Sequence, residues 1–344
     1  IFLNKSSGKI NQSLHYLISK VDVNDNPQSP SYPALPFLSR LIYPNEGGSP
    51  FNVPVRWYGR PLGSEFPSPY SPKDINQFNL SYKIDVKKND ITKFKILFSK
   101  SKHSNSHKRP DIIDSRFLDA IKGFGGPNSD QTWNLFDSSK NSNSLIEYVS
   151  GAESSYRVAH LEYAEFLLNT KVKNIKYAIG FSMSNEKLNI EYDELSRAEF
   201  NNNGQLTKIA NLFFLGGGKN VNKSRKNSAL FFELNSFINK SLEFNFAGRY
   251  NKFKQIDSFN PKTSFNYLIN SQLKVRGTYS ESFVMPSMAQ MFSSDINLGS
   301  VRDINDSSIF VRQALIGNEN LEPAYSRNYN FAVIYNNNLT KLKV

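Results

Sequence analysis

Between Phe78 and Phe98 apolar and polar residues alternate with a period of two. Phe78, Leu80, Tyr82, Ile84 and Val86 keep one phase, Lys88-Asn89-Asp90 interrupts it, and Phe94, Ile96 and Phe98 resume it. Successive side chains of a strand point to opposite faces, so this pattern predicts a hairpin with one apolar and one polar face. The pattern recurs over 156–184, turning at Val172-Lys173-Asn174, with Ile175, Tyr177, Ile179, Phe181 and Met183 on one face. It returns with Leu230, Phe232 and Leu234, a corner at Asn239-Lys240, then Leu242, Phe244, Phe246 and Tyr250. A fourth hairpin has Phe265, Tyr267 and Ile269 before an Asn270-Ser271 corner and Leu273, Val275, Gly277 and Tyr279 after it. Leu14, Tyr16 and Ile18 predict a strand within 10–19, entered through a turn at Lys5 to Lys9, and another strand runs to Tyr335. About ten strands are expected, with a short helix over Ile112 to Ile121, where the apolar spacing becomes helical.

The connections sort by parity. Short corners near 88, 173, 240 and 271 alternate with longer links at 21–75, 99–155, 186–226, 251–261 and 283–327. An up-and-down barrel in an outer membrane has that alternation, whereas a Greek-key sandwich has no reason for it. The expected fold is therefore all-β: an antiparallel, up-and-down transmembrane β-barrel, seen in part. About ten strands in an open sheet would leave edges unpaired in lipid, where each unsatisfied backbone group costs several kcal/mol. Further strands are expected outside the chain, so residues 1–344 read as one barrel domain incomplete at both ends. Ile1 and the strand-like stop at Lys343-Val344 fit that expectation.

Composition changes the picture little. The mean hydropathy of -0.49 and 39% hydrophobic content look soluble, and no apolar run nears the roughly 18 residues of a membrane helix. A barrel strand spends only alternate positions on lipid, so low hydropathy is compatible with membrane insertion. The 27 Phe and 17 Tyr suit strands and interfacial girdles. A net charge of +12 raises nucleic acid as a partner, but the lysines are spread through turns and the polar strand phase. They read as solvated turns and lumen lining, with attraction to an anionic outer surface. There is no cysteine, hence no disulfide and no thiolate site.

Candidate chemistry is sparse. His103 and His107 have the i, i+4 spacing of helical metal ligands but lie in KSKHSNSHKRP, which has no helical apolar period and no third ligand nearby. His15 and His160 sit singly on strand patterns. Glu191, Asp193 and Glu194 fall in a long link with no orienting partner, and LGGGKN lacks the spacing and the Ser/Thr of a phosphate loop. Pro27, Pro30, Pro33 and Pro36 recur at the polyproline II period, which reads as a stiff loop ahead of a PxxP ligand. No G-x-S-x-G or H-E-x-x-H occurs. The expectation is no enzyme, no metal and no cofactor.

Two late segments add a family resemblance. SESFVMPSMAQMF and GNENLEPAYSRNYNFAVIY resemble the paired signature of TonB-dependent outer-membrane receptors, a strand ending in S-x-x-F-R-A-P-S and a later G-N-P-x-L-K-P-E. Val284-Met285, Glu319, Glu322 and Ala324 depart from it. VPVRWYGRPLG and DIIDSRFLDAIKGFGGPNS resemble further segments of one branch, with Ser129 where that branch often has cysteine. The resemblance implies a barrel of about 22 strands around an N-terminal plug, in the outer membrane of a Gram-negative bacterium. It implies a TonB complex as energy-transducing partner, outer-membrane lipid around the wall, and a scarce substrate: siderophore, cobalamin, metal chelate or glycan. A non-transporting barrel used for adhesion or surface binding is the alternative. Period two then places Val275, Tyr279, Phe244 and Phe246 on lipid and Lys274, Thr278 and Asn245 in the lumen, with Tyr250, Tyr279 and Tyr335 near the interface. Arg249 and Arg276 fall on the polar phase, so both are expected to face the lumen and plug. Trp133 and Tyr148, in the long loop, are expected to contact substrate.

Overall fold

The computed structural model describes residues 1–25, 39–62, 71–201, 203–254, 256–302, 304–305, 308–336 and 341–343. In chain order the strands are β1 (Phe2–Ser7), β2 (Ile10–Asp25), β3 (Arg40–Ile42), β4 (Val55–Trp57), β5 (Ser71–Lys87) and β6 (Lys93–Ile112). The helices α1 (Asp114–Ile121) and α2 (Asn143–Val149) follow, then β7 (Ser150–Val172), β8 (Ile175–Tyr192), β9 (Glu199–Phe200), β10 (Leu206–Lys208), β11 (Val221–Phe237) and β12 (Leu242–Phe253). The chain continues through β13 (Asp257–Leu268), β14 (Leu273–Val284), α3 (Met288–Phe292), β15 (Ser294–Arg302), β16 (Ser308–Ile316), β17 (Ala324–Asn336) and β18 (Lys341–Lys343). The proline-rich segment at Pro27 to Pro36 lies outside the described residues.

Twelve strands form one antiparallel sheet in the order β1-β2-β5-β6-β7-β8-β11-β12-β13-β14-β17-β18, with β3-β4, β9-β10 and β15-β16 as separate two-stranded ribbons. Every neighbour in the large sheet is also its neighbour in chain order once the ribbons are set aside, which is the up-and-down connectivity of a barrel wall. The corners form for a local reason. At three of them one asparagine side chain accepts two backbone N–H groups and so replaces a backbone turn. Asn89 accepts from Ile91 and Thr92, Asn239 from Ser241 and Leu242, and Asn270 from Gln272 and Leu273. The corner between β7 and β8 places Lys173 at φ 53, and that between β1 and β2 places Gly8 at φ 55, the left-handed region that two-residue hairpins use.

The register fixes two faces. Ile96, Phe166, Phe181, Leu230, Tyr250 and Phe259 stand opposite one another in a continuous row across six strands. This outer face stays open: Leu230 is 56%, Tyr329 77% and Phe331 68% exposed. The other phase carries Ser182, Ala229 and Asn251, all buried, with the Arg249 side chain of the same face hydrogen-bonded to Ser182 and Asn251. Phe244, Phe246, Val275 and Tyr279 share the outer face, and Asn245, Lys274, Thr278, Arg249 and Arg276 the inner one, as period two requires. Tyr279 lies beside Tyr329, ring centroids 5.0 Å apart.

Four details differ from the sequence pattern. Among the described residues the sheet has twelve strands, slightly more than the ten or so expected. The segment Lys5 to Lys9 is mostly strand, with β1 paired to β2 and only Gly8-Lys9 turning. β6 runs on to Ile112 and β7 begins at Ser150, so residues 99–112, read as loop, continue the sheet. The link at 251–261 is shorter than read, since β12 runs to Phe253 and β13 begins at Asp257, the two pairing as far as Lys252 and Asp257. In the middle two cases the polar stretch is strand without an alternating apolar face.

The largest core cluster among the described residues lies mostly off the sheet. Ile42, Trp57, Ile112, Phe117, Ile121, Trp133, Leu145, Val149 and Phe213 pack together between β3, β4, α1, α2 and the segment before β11. Phe117 is the hub, meeting Trp133 edge-on at 5.8 Å and Phe213 at 5.4 Å between ring centroids. α1 forms where Phe117, Ala120 and Ile121 recur at helical spacing and bury one face.

Candidate functional site: the inner wall and its cap

Two spaces open between the inner wall and the segments that cover it. The larger, about 1190 Å³, is floored by β5 to β8, β11 and β12 around Ser99, Tyr163, Ser184 and Asn227, and bounded on its other side by Met285, Met291, Phe292 and Leu321. The smaller, about 450 Å³, lies beneath β15 and is lined by Lys73, His103, His107, Arg109, Glu153, Arg157, Tyr192 and Asp295 among others. Three fixed cations against two carboxylates, with polar rings between, suit a ligand with anionic groups. The apolar side of the larger space suits a ligand's hydrophobic body.

Three arginines tie the wall to the cap. Arg157 on β7 donates to the Tyr192 hydroxyl at 2.6 Å and to Asp295 of β15 at 3.2 Å, while Tyr192 donates to the same carboxylate oxygen at 2.5 Å. Arg225 on β11 bonds Glu186 at 2.6 Å and the Pro286 carbonyl at 2.7 Å, just before α3. Arg312 on β16 donates to the carbonyls of Leu212, Phe213 and Phe214. From the opposite side Asp111, at the end of β6, accepts the N–H groups of Ile112, Phe214 and Leu215. The segment 212–215 is thus clamped between one carboxylate and one guanidinium, and the ribbon β15-β16 is anchored to the loop core through it.

Asp111 and Glu153 lie some 18 to 20 residues along their strands from the short corners, well past the roughly 10 residues that cross a bilayer. Burial pushes the Asp111 carboxyl up to about 7, against its three backbone donors and the Arg312 charge, which favour the ionised form. Burial likewise raises Glu153, opposed by Arg109, by the Gly217 N–H at 3.0 Å and by Arg157. The Tyr192 hydroxyl is raised by burial and then by Asp295.

Arg249 lies on the inner wall. Its guanidinium donates to Asn251 and Ser182, both at 3.0 Å, and lies over the Phe231 ring at 5.1 Å. Arg276 lies on the same face, exposed, five residues past the Asn270-Ser271 corner. His103 and His107 are on β6, both on the inner face, and His107 approaches the Ser71 hydroxyl at 3.2 Å. No group of three His, Cys, Asp or Glu side chains able to hold a metal occurs among the described residues. Trp133 is fully buried against Phe117. It shapes the loop from within and presents no surface to a substrate in this arrangement. Tyr148 is half-buried at the edge of that core, with the Arg116 guanidinium 5.1 Å over its ring. Arg157, Arg225 and Asp111 were missed in the sequence. The signal that singled out Arg249, an arginine on the polar phase of a strand, is present at Arg157 and Arg225 as well.

The sheet order, the face pattern and the polar inner wall define a membrane β-barrel wall with loop ribbons on one side. The sequence model for the TonB dependent receptor-like, beta-barrel family matches residues 15–344, and the chain belongs to that family of outer-membrane receptors. The siderophore receptor PirA from Acinetobacter baumannii superposes with a TM-score of 0.52 at 12% identity, over 98% of this chain and 40% of that one. The RagAB peptide importer in its closed-closed state gives 0.51 at 10% identity, over 97% and 37%. P. aeruginosa FpvA bound to heterologous pyoverdines gives 0.50 at 11% identity, over 97% and 38%. At these identities the likeness is one of fold alone. The chain spans about two fifths of the length of these structures. Among curated protein sequences none matches the chain.

Proposed function

We propose that this chain is part of the wall and outer cap of a receptor that takes up a scarce substrate across the outer membrane with energy supplied by TonB. The observation that carries the reading is the inner wall. A largely polar inner face, with two spaces bordered by α3 and by the ribbon β15-β16, is what a transport lumen needs, and a surface adhesin has no use for it. The two edges of the sheet, β1 and β18, would pair with further strands, and the lumen would hold a plug that couples substrate binding to TonB. Siderophores, cobalamin, metal chelates and glycans are the substrate classes to screen. The cationic lining beneath β15 favours those that carry carboxylate, phosphate or catecholate groups. Arg276 near the short corners would meet a plug carboxylate, and Arg249, further up the wall, the plug apex or the substrate. Tyr148, at the edge of the loop core, would offer an outer contact.

The test is uptake of labelled substrate by cells that rely on this receptor. Uptake should stop in cells lacking TonB while surface binding persists. Uptake that is independent of TonB would exclude the reading, and binding with no uptake in either strain would leave a surface-binding barrel.

A further inference from the structure

An apolar strip crosses the inner wall between the two spaces. Read upward from the β7-β8 corner, the inward positions of β7 run Tyr163, Leu161, Ala159 and Arg157. Tyr163 lines the larger space, and Ala159 and Arg157 line the smaller. Leu161, between them, is 41% exposed, although its partners across the sheet are Ser101 and Glu186. Ala159 stands opposite Leu188 of β8, which packs with Phe292 of α3, itself part of the lining of the larger space. From Tyr163 to Arg157 is six residues of strand, about 20 Å at ~3.3 Å each. At its upper end the strip stops on a charge. Arg157 donates to an Asp295 carboxylate oxygen at 3.2 Å, and the Tyr192 hydroxyl donates to the same oxygen at 2.5 Å. The smaller space thus contains a seat fitted to one carboxylate, which the cap itself supplies.

We infer that the two spaces hold the two ends of one ligand, a carboxylate joined to a long apolar body. The order of residues supplies the first reason. A carboxylate seated at Arg157 leaves its body lying over Ala159, Leu161 and Tyr163 and reaching Met285 and Met291, whose thioether side chains adapt to irregular apolar shapes. The second is exposure, since such a body covers Leu161 and removes apolar surface from water on both partners. Charge supplies the third. The ligand carboxylate takes the place of the Asp295 carboxylate, so the Arg157 guanidinium exchanges one anion for another and is never left unpaired in a half-buried site. A small polar anion reaches only the upper seat, and a glycan, polar throughout, has no apolar body to lay along the strip. The inference rests on the reading of the inner wall as a transport lumen and narrows the substrate to an anionic amphiphile.

The test uses the full-length protein in nanodiscs, with hexadecanoate, hexadecan-1-ol and butanoate as probes, and native mass spectrometry to read how much of each is retained. Heat-modifiable migration on gels verifies the folded barrel, so that failure to fold is read separately from failure to bind. Wild type should retain hexadecanoate to saturation at one molecule per barrel, and hexadecan-1-ol, which enters the lipid as readily, roughly tenfold less, as the loss of a hydrogen-bonded charge requires. Butanoate should also bind more weakly. Arg157→Gln should retain the acid no better than the alcohol. Leu161→Asn, at an exposed position that perturbs folding least, should retain hexadecanoate severalfold less with butanoate unchanged. Asp295→Asn, which removes the competing carboxylate, should retain severalfold more, a gain that a merely structural role would not produce. The inner-face control Lys274→Gln should bind as wild type. Equal retention of hexadecanoate and hexadecan-1-ol by wild type, or wild-type retention by folded Arg157→Gln and Leu161→Asn, would overturn the assignment. Uptake of labelled hexadecanoate by cells with and without TonB separates this from the transport reading: retention that needs Arg157 without TonB-dependent uptake upholds the site and removes only transport.

Discussion

Replacing Asp111 should loosen the cap while leaving the wall intact. The Asp111 carboxylate accepts three backbone N–H groups at 2.6 to 3.2 Å from Ile112, Phe214 and Leu215, and the residue is only 3% exposed. Asp111→Ala leaves those donors without a partner in a site closed to water. Each unsatisfied buried donor costs about 1 to 3 kcal/mol, so the lower end for three is about 3 kcal/mol. At about 1.4 kcal/mol per tenfold, the segment 212–215 should open roughly a hundredfold more often. Hydrogen exchange resolved by peptide reads this directly: amides of 212–215 and of β15-β16 should lose protection while those of β12 and β13 hold theirs. The pH dependence provides an internal check. With a folded-state carboxyl at about 7 against 3.8 when the segment opens, the closed state binds a proton that the open state releases. Its contribution is therefore full below about pH 4 and is lost as pH rises through 7. Protection in wild type, corrected for intrinsic exchange, should fall across that window, and Asp111→Asn should be flat. Unchanged exchange in Asp111→Ala, or an equal pH slope in Asp111→Asn, would refute the clamp.

Further outcomes are expected at neighbouring positions. Trp133→Ala, which empties a fully buried site, should cost about 3 to 5 kcal/mol in loop stability. Trp133→Phe should cost much less, because the indole N–H has no partner among the described residues; limited proteolysis of 113–149 distinguishes them. Arg276→Glu should impair energised uptake more than surface binding, with a compensating charge reversal on the plug restoring it, and wild-type uptake by this variant would remove the plug contact. Tyr148→Ala should lower substrate binding severalfold with the barrel intact in circular dichroism. This variant is a cleaner probe than deleting residues 120–150, which would expose Phe117, Ile112 and Phe213.

The wall was legible in the sequence because membrane strands with one open face must alternate, and because asparagine at three corners marks the turns by its own side chain. Legibility ended where the physics changed. Beyond Phe98 both faces of β6 are polar, so period two vanishes from the sequence although the strand continues to Ile112. The loop core joins Ile42, Trp57, Phe117, Trp133 and Phe213, residues from five separate stretches. No local spacing announces such a cluster, so Trp133 reads as a surface ring until the fold encloses it. At the candidate site Arg249 was legible from its strand phase. The Asp111 and Arg312 clamp was not, because its contacts are to backbone groups about 100 residues away.

The central claim is that one phase of this sheet faces lipid and the other an aqueous lumen. Single cysteines at Phe244, Phe246, Val275 and Tyr279, and at Asn245, Lys274 and Thr278, test it in the intact outer membrane with a lipid-soluble and a water-soluble thiol reagent. Labelling should divide by phase, the first set taking the lipid-soluble reagent and the second the water-soluble one, with neighbours such as Phe244 and Asn245 giving opposite results. Labelling of both sets by the same reagent would contradict the membrane wall on which the rest depends.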